Sequence, residues 1–205
     1  MRPLRRGGFN EAGNIAPLSV VVCLVLVCAL GFVSNFGMAY ALKSKQEQAL
    51  DAARSACMDS AGAVPAKYAD DPGLSLASTI ARAVREQGIA VPLSVWFYEA
   101  PEQSVSASER LWIVGVQVEQ NVELPFAAGS AVDHLTVASS RVIVAKPYAS
   151  EVVWRPQQRV CGVYRFAEDA AYGSPSFSRI TMIEAFPDEM VQAARSANRN
   201  ETEQW

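Results

Sequence analysis

One histidine in 205 residues, His134, leaves little room for metal or acid–base chemistry. It follows Asp133 at the start of an apolar alternation, where a lone His with one acidic neighbour is far more often structural than catalytic, and no second His completes a metal site. No Ser, Cys or Thr stands in a nucleophile motif, and the twelve glycines do not gather into a phosphate-binding loop. Internal repeats and low-complexity tracts are missing too. These gaps argue against an enzyme and against a cofactor or small-molecule substrate. The Asn200-Glu201-Thr202 triplet matches a glycosylation sequon but lies in a charged tail, where a motif this short is uninformative.

The most informative absence is of charge. Ile15 to Leu42 runs for twenty-eight residues without one Asp, Glu, Lys or Arg. A hydrocarbon core about 30 Å thick takes roughly 20 apolar residues as helix, so this run is a transmembrane span with a turn or two in excess. A secretory signal is the rival reading, and Ala39-Tyr40-Ala41 offers a cleavage pattern. Signal cores hold about 7–15 residues, however, and this one is nearly twice that. A lipoprotein site fails at Val27, where the position before Cys28 needs a small residue. From Lys43 the pattern turns amphipathic with no Gly or Pro before Gly62, which predicts one helix from about Pro17 to Ala61, roughly 65 Å long. The chain thereby divides into a short N-terminus (1–14), a transmembrane helix (15–42) and an outer domain (43–205) large enough to bury one core.

Charge sets the orientation. Arg2, Arg5 and Arg6 against Glu11 make the first fourteen residues net positive, whereas the remainder is net negative. Basic flanks stay in the cytoplasm, so the expected topology is single-pass, N-terminus inside and domain outside. A mildly acidic outer domain gives no encouragement to nucleic acid or to anionic lipid as a partner.

Within the membrane run, Gly31, Ser34, Asn35, Gly37 and Met38 break the Val/Leu pattern, and Gly31, Asn35 and Met38 share a helical face. Either these small and polar groups form a helix–helix contact, or Asn35 sits at the outer headgroups. On the water side Leu50, Ala53, Cys57, Ala61 and Val64 make a stripe of small side chains that lets a sheet approach closely, until Gly62 and Pro65 stop the helix. Asp71 as N-cap and Pro72 at the first helical position open a second helix, with Leu76, Ile80 and Val84 on one face and its end at Gly88.

The period then changes to two. Leu93 to Glu99 is a β-branched and aromatic run. Leu111 to Leu124 alternates Trp112, Val114, Val116, Val118, Val122 and Leu124 against Gln117, Glu119, Asn121 and Glu123, a strand with one wet face. His134 to Ala145 forms a third strand whose apolar phase shifts, pointing to a bulge near Ser139 to Arg141. The expected fold is α+β: a long helix on a small antiparallel meander. Val152 to Trp154, Val160 to Phe166 and Ile180 to Ala185 read as short edge strands, and Asp188 to Asn198 as a terminal helix. Cys23 and Cys28 act as small hydrophobes inside the membrane run. Cys57 and Cys161 lie outside, where thiols oxidise, and a disulfide between them is expected to tether the C-terminal third.

The segments EAGNIAPLSVVVCLVLVCALGF and YALKSKQEQALDAARSAC resemble the start of TadE/TadG-like proteins of the tight-adherence (Tad, Flp) pilus system. Gly13, Tyr40 and the Gln48-Ala49-Leu50-Asp51-Ala52-Ala53 run carry the likeness, and VGVQVEQNVELPFAAGSAVDHLTVASSRVIVAKP resembles the family's downstream strand pair. The resemblance implies a minor pilin-like assembly protein of a prokaryotic cytoplasmic membrane, with other pilin-like or Tad assembly proteins as partners. Pilins cut by a prepilin peptidase carry a Glu five residues past the cleaved Gly. Leu18 holds that place after Gly13, and Gly13 after Gly8, which favours the uncut TadG-like branch. The alternative function is an anchored ligand-binding or adhesion module using Trp96, Tyr98, Trp154 and Tyr164.

Overall fold

A computed structural model describes residues 15–59, 64–66, 68–99, 112–124, 134–145, 161–168 and 174–202. Helix α1, Ile15–Met58, is 44 residues long, close to 66 Å at about 1.5 Å per residue. Its first turn tolerates Pro17, whose missing N–H would have no helical partner there. Its two halves live differently. Leu18, Val25, Leu30 and Phe32 are each more than half exposed, while Gln46, Ala49, Leu50, Ala53 and Cys57 are buried. The buried set falls at helical spacing and widens the expected stripe by one turn toward the membrane run. Residues 60–63, which hold the expected stop at Gly62, lie outside the described residues; the helix itself ends at Met58.

Helix α2, Pro72–Glu86, begins as its sequence dictates. The Asp71 carboxylate accepts from the Leu74 N–H at 2.9 Å, with Pro72 in the first turn. Leu76, Ile80 and Val84 are buried against α1. The helix is closed by Gly88 at φ 71°, a left-handed conformation that favours glycine. Lys45 Nζ donates to the Gly88 carbonyl at 3.0 Å, pinning the end of α2 to α1.

Five strands form one antiparallel sheet: β1 (Leu93–Glu99), β2 (Trp112–Glu123), β3 (His134–Ala145), β4 (Gly162–Phe166) and β5 (Ser176–Arg179), in the order β3-β2-β1-β4-β5. The expected meander is therefore its first three strands. The run read as an edge strand near Val160 to Phe166 instead pairs with β1 on one side and β5 on the other, and Ile180 to Ala185 holds a 3-10 turn (Ile183–Ala185) in place of a strand. Val152 to Trp154 lies outside the described residues. Helix α3, Asp188–Thr202, ends the fold.

What covers the sheet refines one expectation about the strands and corrects another. Leu93, Val95 and Phe97 of β1, with Val114, Val116 and Val118 of β2, face α1 and α2; Tyr98 and Ile113 face Phe186, Met190, Val191 and Ala194 of the C-terminal segment. The residues read as the wet face of β2, Gln117, Glu119, Asn121 and Glu123, are half-buried or exposed as expected, while Ile113 and Gly115 at the start of that face are dry under the C-terminal segment. A Cβ on Gly115 would run into the Met190 side chain, so the bare backbone lets α3 close on the sheet. The bulge is missing. Val118 pairs with Ser139, Gln117 with Ser140 and Val116 with Arg141 without interruption. The apolar phase of β3 shifts because both faces are covered at that end: Val142 packs on the α3 side, while Ser139 and Arg141 on the α1 side find polar partners.

Those partners sit on α1. Gln46, fully buried, donates from Nε2 to the Val137 carbonyl at 3.3 Å and accepts from Ser139 Oγ at 2.9 Å. Arg141 meets Asp51 at 2.9 Å, but the pair is exposed enough to contribute only about 0–1 kcal/mol. Burying one Leu or Ile side chain is worth roughly 1.5–3 kcal/mol, so Leu50, Leu76 and Ile80 outweigh the ion pair in holding the helices to the sheet. The Gln46 amide fixes register where the apolar contacts alone would allow sliding. Replacing it by Met (Gln46→Met) should lower the unfolding free energy in urea by about 1–3 kcal/mol, because Ser139 is left buried without its acceptor. Adding Ser139→Ala should recover part of that loss; a double variant as unstable as the sum of the two singles would contradict the pairing.

Candidate functional site

The described residues hold no group of three or more His, Cys, Asp or Glu placed to bind a metal ion. His134 stands exposed at the first residue of β3. Of the aromatics proposed as binding contacts, Tyr98 and Tyr164 are buried and Trp96 is half-buried against the α3 cluster; Trp154 lies outside the described residues. Tyr164 donates its hydroxyl to Asp71 at 2.7 Å, on the same carboxylate oxygen that caps α2. Burial, and then that bond, push the Tyr164 hydroxyl pKa upward, which marks a core tyrosine tying β4 to the start of α2.

The expected disulfide is not formed. Cys57 and Cys161 are both free thiols, and their positions explain why. Cys57 belongs to the cluster between the sheet and α1/α2, whereas Cys161, at the start of β4, packs with the cluster on the α3 face. The sheet itself stands between them, beyond the reach of a bond that needs Cα atoms within about 7 Å. Cys161 Sγ lies 3.9 Å from the Glu99 carbonyl. What tethers the C-terminal third is its sheet pairing, with Tyr164 opposite Val95 and Phe177 opposite Tyr164.

The remaining candidates are the small and polar residues of α1. Ser34 and Gly37 are exposed, Met38 is 44% exposed, and a Cβ on Gly37 would meet nothing within 4 Å. Asn35 is turned elsewhere, about 200° of helix rotation from Gly37. It lines a cavity of about 500 Å³ between α1 and the Leu124/Leu135 end of the β2–β3 pair, together with Phe32, Phe36, Tyr40 and Lys43. Its Oδ1 is buried and has no hydrogen-bond partner among the described residues. The five residues expected to act together are therefore split, with Asn35 facing the domain and Ser34 and Gly37 facing away. Sequence reading missed the aromatic members of this cavity. Phe32, Phe36 and Tyr40 recur at i, i+4 and i+8, which stacks them on one helical face, and the Phe32 and Phe36 ring centroids lie 5.1 Å apart.

α1 is the one helix among the described residues long and apolar enough to cross a membrane. Residues 13–56, almost the whole of α1 and about a fifth of the chain, match a family model described as Flp pilus-assembly TadE/G-like. No curated protein and no solved structure matches the chain. The likeness resides in the helix, and the sheet with α2 and α3 lies outside it.

Burial pushes the Cys57 thiol from its ordinary value near 9 up to about 12. An unfolded chain releases that proton near the ordinary value while the folded chain keeps it, so this contribution is complete below about pH 9 and is lost between 9 and 12. The loss amounts to at most about 4 kcal/mol. The unfolding free energy should accordingly fall with a shallower slope between pH 9 and 11 in Cys57→Ala than in the unaltered protein. Equal slopes would contradict the assignment, and peptide mapping under exchange-blocking conditions should find Cys57 and Cys161 unjoined.

Proposed function

We propose that this chain is a membrane-anchored, pilin-like component of Tad/Flp pilus assembly, with a structural role and no catalysis. The observation that carries the reading is the joint one: a TadE/G-like helix, apolar over its first half and built into a folded domain over its second. In this reading residues 1–14 lie in the cytoplasm and the domain outside, as the Arg2/Arg5/Arg6 cluster favours. The exposed Ser34 and Gly37, which point away from the domain, offer the close approach that helix association in lipid needs, where small residues let backbones meet, whereas Gly31 is buried. Partners would be other pilin-like or Tad assembly proteins. No observation favours the rival ligand-binding module, since Tyr98 and Tyr164 belong to the core and Trp96 is half-covered.

The paired substitution Ser34→Leu with Gly37→Leu keeps the helix apolar while filling the surface that a neighbouring helix would approach. Piliated cells counted by electron microscopy should fall severalfold in a deletion strain complemented with this variant, with protein level and topology unchanged. Normal piliation in the deletion strain itself would end the assembly reading. In spheroplasts, added protease should remove the domain and spare the apolar half of α1; a fully protected domain would reverse the orientation.

A further inference from the structure

We propose that the cavity between α1 and the Leu124/Leu135 end of β2–β3 seats a phospholipid of the outer leaflet, so that the folded domain rests directly on the membrane surface. The inference rests on α1 being a membrane span. Length comes first. Pro17 to Phe36 supplies 20 residues, about 30 Å of helix, and fills a hydrocarbon core by itself. The charge-free run continues to Leu42, so its last turns stand at headgroup height, and Leu124 and Leu135 are held at that height because they line the same cavity as Tyr40 and Lys43.

The lining is graded to match. Phe32 and Phe36, each 66% exposed, continue the apolar surface of the span without a break. Leu135, 41% exposed at the tip of β3, faces them from the domain side. Tyr40 stands a turn further out, where aromatic side chains with a polar tip prefer the interface. Lys43 closes the outer end and complements a lipid phosphate. One acyl chain between Phe36 and Leu135, with its phosphate at Lys43, uses the apolar, interfacial and cationic groups of this lining.

The test places a benzophenone photocrosslinker, as p-benzoylphenylalanine, at one position at a time in the full chain. The protein is reconstituted in vesicles of phosphatidylethanolamine and phosphatidylglycerol. Val25, in mid-span, reports whether α1 is in the bilayer; Phe177, 45% exposed on the distant strand β5, reports background. Mass spectrometry should find lipid adducts at Val25 and Leu135 and none at Phe177. In a Lys43→Gln background the phosphatidylglycerol adduct at Leu135 should fall about fivefold, the ratio corresponding to about 1 kcal/mol per cationic residue near anionic lipid. An adduct at Val25 with none at Leu135, or a covalent dimer formed through Leu135, would overturn the lipid seat and leave the anchor intact. An unchanged adduct in Lys43→Gln would overturn the headgroup contact. Absence of lipid at Val25 would overturn the anchor reading and this inference with it.

Discussion

The buried stripe of Gln46, Ala49, Leu50, Ala53 and Cys57 on α1 is the contact on which the rest of the structure depends. It is made of small side chains plus one Leu and one amide, and that composition decides the geometry. Small residues let α2 and the β3 side of the sheet approach the helix closely, and close packing recovers dispersion energy over many atom pairs. Gln46 then fixes which residues of β3 lie opposite which turn of the helix through its bonds to Val137 and Ser139. With α1 placed, the Lys45 to Gly88 bond holds the end of α2, and Asp71 joins the start of α2 to Tyr164 of β4. Each element is thereby referred back to one helix. The sheet supplies the other axis, with β1 central and both of its faces covered near the middle.

This dependence couples the membrane to the domain. A helix that is one rigid body on both sides of an interface carries the position of its apolar half into the water. Whatever holds Leu18 to Phe36 also sets where Leu135 and Tyr40 stand, because little more than a turn of helix separates Phe36 from Tyr40. Ser34 and Gly37 point away from the domain while Asn35 points toward it, so the two faces of the helix at this level differ in what they meet. A flexible linker at this point would lose both relations.

Much of this was legible in the sequence because period and punctuation are local signals. The charge-free run, the Asp71-Pro72 start, the glycine at 88 and the alternation through β2 each follow from a few neighbouring residues, and the structure places them as read. What failed depended on a partner far along the chain. The phase change in β3 looked like a bulge because α3 and Gln46, which cover and satisfy its two faces, lie about fifty and ninety residues away. The Cys57–Cys161 bridge looked plausible because both thiols lie in the same domain; only the position of the sheet separates them. Pairing of β4 beside β1 is a long-range choice with no turn signal to announce it. The cavity at the outer end of α1 escaped notice for the same reason, since Leu135 reaches Phe36 only once the meander is docked.

The central claim is that α1 runs unbroken from the membrane into the core of the domain. A pulsed electron–electron resonance distance between nitroxides at Val20→Cys and Ser55→Cys, in lipid vesicles and with the native cysteines replaced by alanine, tests it most directly. A continuous helix places these positions 35 residues apart along one axis, about 52 Å, with a narrow distribution. A broad distribution centred well below that length would mean that the helix breaks at the membrane surface, and that anchor and domain are joined by a hinge.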